Sequence, residues 1–594
     1  MRHLITARLI GLCLILCSPV LALTPDIRAD SNRDGAVDIK DDTDLADKLE
    51  WSDTKGAIFL ANIGDTDRRC SKLALAGEPW SDEALAACHD ASDDIQRSPQ
   101  YLAPLRTVPL PGLDEEAFAM ILVEEEIARQ NVRIFRKEDQ SWTITPNDHR
   151  FTKEELEKGL VLGIDARDTR RPGGWNGTVQ VKFFVQNGKS PVSDMVHLRV
   201  APILTHHHLQ PMVKFLSTAG NESDSPAQYK FVHDVKEALK TAGVPQSIFL
   251  FDHSDDIWAQ DFLEPGYASM PGPDGPRILR VMIRSSQGSR VAGRQVFEYM
   301  RDTGRGAVYS TGGMRYEINS MGNLETIPPY ESYTAGRIIE GSHGDRTPHV
   351  LEYMRAQEFQ NPLALDTDWL AVGHVDEFVQ FLPSKTTPRG WVMAIADPVA
   401  GIEILKQAVN DGHGDSPAFS RPSGGPPNVT IKELLARPGL LQNNTKFAEN
   451  IKRNRELLIK EIGLAKEEIH DIPLIFETGV CWEGDEGNPP EKNCSPNHGA
   501  ALYPGVINGV VLSDTQYLAP NPWGPVIDGR DILVEATNRV YGEIGLKVTY
   551  IDDWESHHIG GGEVHCGSNT IRKVTSPWWN PPQTTEYWNF RDEL

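Results

Sequence analysis

Beyond its first two dozen residues this chain of 594 residues has no apolar run approaching the roughly 20 residues that a membrane-spanning helix needs. A spanning segment in the body of the protein is thereby excluded. Positive charge is also scarce. The 59 Lys and Arg stand against 84 Asp and Glu, a formal net charge of −25. That balance argues against a nucleic-acid partner, because phosphate contacts need a basic surface. It suits calcium and cationic substrates. Cysteine is scarce too, at 7 in all. The letters show neither an internal repeat nor a low-complexity tract.

The amino terminus has what the rest lacks. Arg2 and Arg8 precede or flank the apolar run Leu9–Leu16, and Val20-Leu21-Ala22 follows. This is the pattern of a secretory signal peptide spanning 1–22, cut after Ala22, and too short to anchor the chain in a bilayer. The expectation is a secretory-pathway protein with no membrane partner. Acceptor patterns at Asn176, Asn221, Asn428, Asn443 and Asn493 agree with a glycoprotein. The last four residues, Arg591-Asp592-Glu593-Leu594, approximate a lumenal retention address, so secretion and retention both stay open.

Cys13 and Cys17 leave with the signal. Cys70 and Cys88 lie close in sequence, as do Cys481 and Cys494, and an oxidising compartment pairs them so. Cys566 is left over, a small buried hydrophobe or a reactive thiol.

In chain order, residues 23–203 read as β-structure. Asp30, Asn32, Asp34 and Asp38 put oxygen ligands at alternate positions around Gly35, and Asp65 and Asp67 add two more. That spacing resembles a calcium loop, but the strand-like Gly56–Asn62 follows where an EF-hand would place a helix. Short strand-like runs at 118–123, 132–135, 179–185 and 195–200, separated by turns, predict an antiparallel sandwich, with one helix at 153–159. His206-His207-His208 point in different directions and read as a linker loop rather than a metal site. From residue 204 to 594, helical stretches (231–242, 447–464) alternate with strands (246–251, 369–372), which is α/β material.

Cys566 stands in Gly560-Gly561-Gly562-Glu563-Val564-His565-Cys566-Gly567, a loop of permissive backbone. A cysteine nucleophile needs a proton-transfer partner, and His374 can supply one. Asp261 and Asp376 are carboxylates of the kind that match a guanidinium bidentately. One thiol, one imidazole and two carboxylates in a single cleft suit attack on a guanidinium carbon.

Three stretches resemble signature segments of the protein-arginine deiminases. They are Trp258-Ala259-Gln260-Asp261-Phe262-Leu263-Glu264, Trp369–Phe378 with Gly373-His374-Val375-Asp376-Glu377, and Gly562–Gly567 with Asn569 and Trp578-Trp579-Asn580. Gly322–Glu325, Asn410–Gly414, Asn454–Leu458 and Trp523–Gly529 match in the same order, and the likeness covers nearly all of the expected mature chain. The resemblance implies an α+β multidomain protein. An immunoglobulin-like, calcium-binding β-sandwich (23–203) precedes a five-bladed α/β propeller of the pentein type (204–594). No segment corresponds to the additional N-terminal domain of the animal enzymes.

The resemblance further implies that Asp261 and Asp376 hold a peptidyl-arginine guanidinium, that Cys566 attacks it, and that His374 moves protons. Trp258 and Val372 would line the arginine stem, and Arg290 would meet the substrate backbone. Calcium would be held by Gln260, Glu264 and Glu325 with carbonyls at Met321 and Leu324. A second family calcium site is expected to be absent, because Phe262 and Arg284 stand where it has carboxylates. Gly560 and Gly561 replace a bulkier pair, which predicts an opened pocket mouth. The expected partners are arginine-containing proteins or peptides, with a homodimer left open. Two other readings remain. One is a deiminase of free arginine or agmatine using the same four residues, against which the calcium-rich β-domain stands. The other is a non-catalytic calcium-binding glycoprotein, against which the intact reactive residues stand.

Overall fold

The computed structural model describes residues 23–579 apart from 78–79, 253, 255, 311–312, 314–315, 423–424, 427 and 481–496. The expected signal segment, the Cys481–Cys494 bridge, Asn493 and the terminal retention address lie outside the described residues. Among the described residues no helix is long and apolar enough to cross a membrane.

Alternation builds the first half. In the strand Thr178–Asn187, Val179, Val181, Phe183 and Val185 are almost wholly buried, while the residues between them are not. One face of the strand therefore belongs to a core. It pairs antiparallel with Ser190–Val200. Phe118–Leu122 lies along its other edge, and Ala57–Phe59 completes this sheet in parallel with Ser190–Val200. A second sheet takes the order Ile27–Ala29, Ala103–Thr107, Val161–Ala166, Val132–Glu138, Ser141–Ile144. Residues of both sheets, among them Leu105, Ile164, Phe183 and Val185, share one hydrophobic core. The expected helix near 153 runs from Lys153 to Lys158 behind a Thr152–Glu155 capping box.

This core also encloses a charged pair. Arg133 grips Asp165 through two parallel hydrogen bonds of 2.9 and 2.6 Å, and both side chains are fully buried. Arg133 also donates to the carbonyls of Asp90, Asp93 and Ile95, tying the 90–95 loop to the sheet. Cys70 and Cys88 form a disulfide just upstream.

The second half holds a pattern absent from the letters. Five sheets each contain an antiparallel strand pair whose second strand takes a parallel partner. Leu263–Met270 pairs with Arg277–Arg284, then Arg305–Tyr309. Leu324–Ile327 pairs with Arg337–Ser342, then Leu363–Asp366. Val379–Pro383 pairs with Trp391–Asp397, then Ile469–Pro473. Val510–Val511 pairs with Gln516–Pro520, then Lys547–Ile551. The last sheet joins the two ends of this half: Ser568–Arg572 pairs with Met212–Thr218, which runs parallel to Ile248–Phe251. Helices such as Pro226–Ala242, Val350–Gln357 and Ile532–Ile544 make the parallel crossovers.

The apolar run at 369–372 is not a strand. The strand ends at Asp366, and the chain turns. Trp369 plugs a core of rings, with centroids 5.8 Å from Phe378, 5.5 Å from Phe447 and 5.4 Å from Phe476. Hydrophobicity here comes from one buried loop rather than from a sheet face.

Replacing Asp165 with Ala strands a buried guanidinium. It is expected to cost about 3–5 kcal/mol in urea unfolding. A loss below about 1 kcal/mol would show that the pair does not hold this half together.

Candidate functional site

Equivalent positions in these sheets supply the site. Asp261 lies two residues before the strand Leu263–Met270, and Asp376 three before Val379–Pro383. Asn508 lies two before Val510–Val511, and Cys566 two before Ser568–Arg572. The turn Met321–Asn323 leads directly into Leu324–Ile327. Residues hundreds of positions apart are thus delivered from one kind of place in a shared architecture.

Asp376 lies at the centre of a dense network and is almost wholly buried. Its Oδ2 accepts from Asn508 Nδ2 at 2.7 Å, His565 Nδ1 at 2.8 Å and the Cys566 thiol at 3.4 Å. Asn508 Nδ2 also reaches Cys566 Sγ at 3.3 Å, and its Oδ1 accepts from the Cys566 amide at 3.3 Å. The Cys566 carbonyl accepts from the Gln260 amide at 3.1 Å, which joins the aspartate segment to the cysteine segment. Cys566 is a free, buried thiol.

Asp261 and His374 meet over Gly322. A Cβ placed on Gly322 would lie 2.7 Å from Asp261 Oδ1 and 3.0 Å from His374 Nδ1. His374 Nε2 is 3.0 Å from the Glu317 carbonyl, which that nitrogen's proton can reach. That leaves Nδ1 without a partner. Asp261 Oδ1 and Asp376 Oδ1 are likewise buried and without partners. Two carboxylate oxygens and an imidazole nitrogen, desolvated and unpaired, form a costly arrangement unless a cation with several N–H groups fills it.

The electrostatics follow from burial and from these neighbours. Burial, together with the Asp376 and Asp261 carboxylates, pushes the Cys566 thiol well above its ordinary value. Burial works against a charged His374, but Asp261 and Asp376 outweigh it and raise this imidazole. Burial likewise raises Asp376, yet the His565 hydrogen bond and charge bring it below the usual carboxylate range. Burial pushes Asp261 up to about 6, against the pull of Arg290 and His374.

Several sequence expectations are placed differently. Arg290 does not reach out toward a peptide. It is buried, with Nη2 2.9 Å from Asp261 Oδ2 and from Glu317 Oε2, and Nη1 2.8 Å from Asp256 Oδ2. Three carboxylates hold it as a clamp behind Asp261. Trp258 is half-buried, its ring 5.4 Å from that of His557. Its indole fills the space that Gly560 and Gly562 leave free: a Cβ on either would lie 2.9 or 2.6 Å from it. The glycines seat an aromatic ring there instead of simply widening the mouth. Val372 is half-buried one residue before Gly373, whose φ is +92°. Phe262 is in an apolar cluster, and buried Arg284 donates to the carbonyls of Ser285, Gln287 and Arg290.

Gln260, Glu264, Leu324 and Glu325 line one small cavity, and the Met321 carbonyl accepts from the Leu324 amide. In the N-terminal loop, Asp30 accepts from the Asp34 and Gly35 amides, Asn32 pairs with Asp34, and Asp38 accepts from Lys40 and Asp41. Asp65 has a structural role of its own. It caps the helix Arg69–Leu75 through the Cys70 and Ser71 amides, while Asp67 is an exposed turn residue with φ +59°. Helix capping explains Asp65 without an ion. The three histidines do lie in a loop, between the strands Leu204–Thr205 and Met212–Thr218, but it is packed inward: His206 and His207 are buried, and His208 lies beside Glu325. Asn508, His565 and Glu317 were not singled out from sequence. His565 is next to the cysteine and was legible as a motif letter. Asn508 had no such signal.

Gly322→Ala is expected to lower kcat/KM at least about tenfold with an unchanged unfolding midpoint, because small misplacements of reacting groups cost large factors. Full activity would contradict the convergence of Asp261 and His374.

The profile of the protein-arginine deiminase (PAD) family matches residues 190–580. Protein-arginine deiminase type-3 of Mus musculus is 29% identical over 582 residues, covering 91% of this chain and 80% of its own length. Type-4 of Rattus norvegicus is 30% identical over 570 residues, covering 90% and 79%. Among solved structures, a C. jejuni agmatine deiminase covers 63% of this chain and 96% of its own at 11% identity and a TM-score of 0.34, a likeness too slight to carry an argument. With the profile matching about two thirds of its length, this chain belongs to the protein-arginine deiminase family.

Proposed function

We propose that the protein hydrolyses peptidyl-arginine to peptidyl-citrulline and ammonia, with Cys566 as nucleophile. The observation that carries this reading is the set of three buried, unpartnered atoms, Asp261 Oδ1, Asp376 Oδ1 and His374 Nδ1, beside a free thiol. A guanidinium supplies planar N–H donors to carboxylates and a carbon for sulfur to attack. Five sheets of one connectivity, closed by the pairing of 568–572 with 212–218, support a five-bladed pentein propeller. The two sheets upstream support an immunoglobulin-like sandwich over 23–203.

In this reading the substrate cation brings positive charge beside the sulfur. The charge offsets the two carboxylates, and the thiol passes its proton to His374. The thiolate adds to the guanidinium carbon, and ammonia leaves with a proton from His374. The resulting S-alkylthiouronium is attacked by water, whose proton His374 accepts. The carbon–sulfur bond then breaks and citrulline departs. A cavity of about 280 Å³ adjoins Asn508 and Gly562 and gives the arginine's carrier a place to lie.

Calcium fits the residues present. Gln260 Oε1 and Glu264 Oε2 are buried acceptors without partners, and both residues line the cavity that Glu325 also lines. Oxygen donors of this kind suit a hard cation. Gln260 and Glu325 would hold such an ion with Glu264. Its chemistry there would be electrostatic, fixing the Gln260–Asp261 turn.

The decisive assay is mass spectrometry of a blocked arginine peptide, free arginine and agmatine, with and without calcium. Citrulline formed on the blocked peptide, and lowered at least about 1000-fold by Cys566→Ala, is expected. Turnover of free arginine or agmatine alone would replace this reading with a small-guanidine deiminase. The raised thiol adds a sign: below its pKa the thiolate fraction grows tenfold per pH unit. Alkylation of the substrate-free enzyme by iodoacetamide should therefore climb steadily from pH 7 to beyond 9. A rate already level at pH 7 would mean that the thiolate exists before substrate arrives.

A further inference from the structure

Asp261 is held from behind by groups that never meet the substrate. Arg290 binds its Oδ2, and Arg290 is set in turn by the loop 285–290 that follows the strand Arg277–Arg284. That loop is wound around one guanidinium. Arg284 Nη1 donates to the Ser285 carbonyl at 3.2 Å, and Nη2 donates to the carbonyls of Gln287 at 3.3 Å and Arg290 at 2.7 Å. The Ser285 amide donates to the Phe262 carbonyl at 3.0 Å, one residue from Asp261. A guanidinium holds its N–H donors in a rigid plane, so the carbonyls that meet it are fixed relative to one another.

The cradle is shaped for this group. Arg284 is wholly buried, and a Cβ on Gly293 would lie 2.4 Å from its Cζ and Nη1. A glycine there lets the guanidinium lie against the turn Val291–Arg294. A charge so placed needs a counter-charge. Among the described residues Arg284 has one carboxylate partner, Asp82, whose Oδ2 lies 3.5 Å from Nη2. Burial lowers the Arg284 guanidinium, and Asp82 leads the charges that oppose this.

Asp82 belongs to the half of the chain that holds none of the reacting groups. It opens the short helix Asp82–Ala87, and its other oxygen takes Arg294 Nη1 at 2.7 Å. The helix is fastened on several sides. Arg294 Nη2 donates to the Trp80 carbonyl at 2.6 Å, and Arg301 Nη1 to the Leu85 carbonyl at 3.0 Å. Leu85 is fully buried in the apolar cluster that contains Ala259 and Phe262, on either side of Gln260-Asp261. Cys88, just past the helix, is bonded to Cys70 in the helix Arg69–Leu75. Helices this short are not stable alone, and the bond restricts the chain that joins them.

We infer that Asp82 is a positioning residue for the capture of the arginine. With Arg284 it fixes the loop 285–290, the loop aims Arg290, and Arg290 fixes Asp261, while the Cys70–Cys88 bond keeps Asp82 in place. The inference rests on the peptidyl-arginine reading above. It gives the upstream half of the chain a part in substrate binding that no contact with the substrate would reveal.

The test is steady-state citrulline formation on a blocked arginine peptide by the full chain, with calcium present. Asp82→Asn removes the charge and keeps the shape. It is expected to raise KM at least about fivefold and to change kcat less than about twofold, because Asp261 grips the guanidinium before and throughout the reaction. Asp82→Glu, which keeps the charge, is expected to stay within about twofold of the parent. In an Arg290→Lys background, adding Asp82→Asn is expected to change KM less than about twofold, since both act along one path. Gly293→Ala, which displaces the guanidinium and leaves Asp82 intact, is expected to raise KM as Asp82→Asn does, and it decides the matter if Asp82→Asn fails to fold. The Cys70→Ser/Cys88→Ser chain is expected to raise KM as well. An unchanged KM in Asp82→Asn or in the chain without the disulfide, or effects of Asp82→Asn and Arg290→Lys that simply multiply, would overturn the proposal. A parent inactive on the peptide would overturn the deiminase reading along with it. An active parent matched by Asp82→Asn would overturn this inference alone.

Discussion

The Oδ2 atom of Asp376 accepts from Asn508, His565 and Cys566, three donors drawn from two other segments. A buried carboxylate with so many donors keeps its charge, and it fixes the position of each group that touches it. Its other oxygen is then free to face the centre of the site. Arg290 does the same for Asp261, occupying Oδ2 and leaving Oδ1. Each carboxylate is held by one oxygen and presents the other. The site is organised before any ligand arrives, at the cost of unpaired polar atoms that only a suitable cation satisfies.

Architecture makes this pairing of distant residues economical. The residue or short turn just ahead of the first strand recurs in four sheets as Asp261, Asp376, Asn508 and Cys566, and in a fifth as the Met321–Asn323 turn. Strand pairing is set by backbone hydrogen bonds and by burial of alternate faces, so the pairing of Ser568–Arg572 with Met212–Thr218 tolerates very different sequences. The letters show no repeat for that reason. What recurs is strand order, and side chains are free to vary wherever a core position only asks for apolar volume.

Legibility was uneven in the same way. Asp261, His374, Asp376 and Cys566 stand in long, distinctive segments, and the chemistry of their side chains was readable before any fold. Asn508 sits in Gly505-Val506-Ile507-Asn508-Gly509, which reads as an ordinary turn, and only its place ahead of a strand gives it a role. Arg290 was readable as a charged residue near the site, but whether it faces solvent or three carboxylates depends on packing that one sequence does not encode locally. Asp65 matched an acidic spacing yet caps a helix, since one carboxylate serves either purpose. Trp369 belongs to an apolar run of strand length that folds as a buried turn around a cluster of aromatic rings. The three histidines at 206–208 could not share one helical or strand face, and the structure packs them by separate contacts instead, burying His206 and His207.

The most direct test of this arrangement is a crystal structure of Cys566→Ala bound to a blocked arginine amide. The account predicts one guanidinium hydrogen-bonded to both Asp261 Oδ1 and Asp376 Oδ1, with its carbon facing the position of the missing sulfur and His374 Nδ1 within reach of a departing nitrogen. A guanidinium bound to only one of these aspartates, or seated outside their shared cleft, would contradict it.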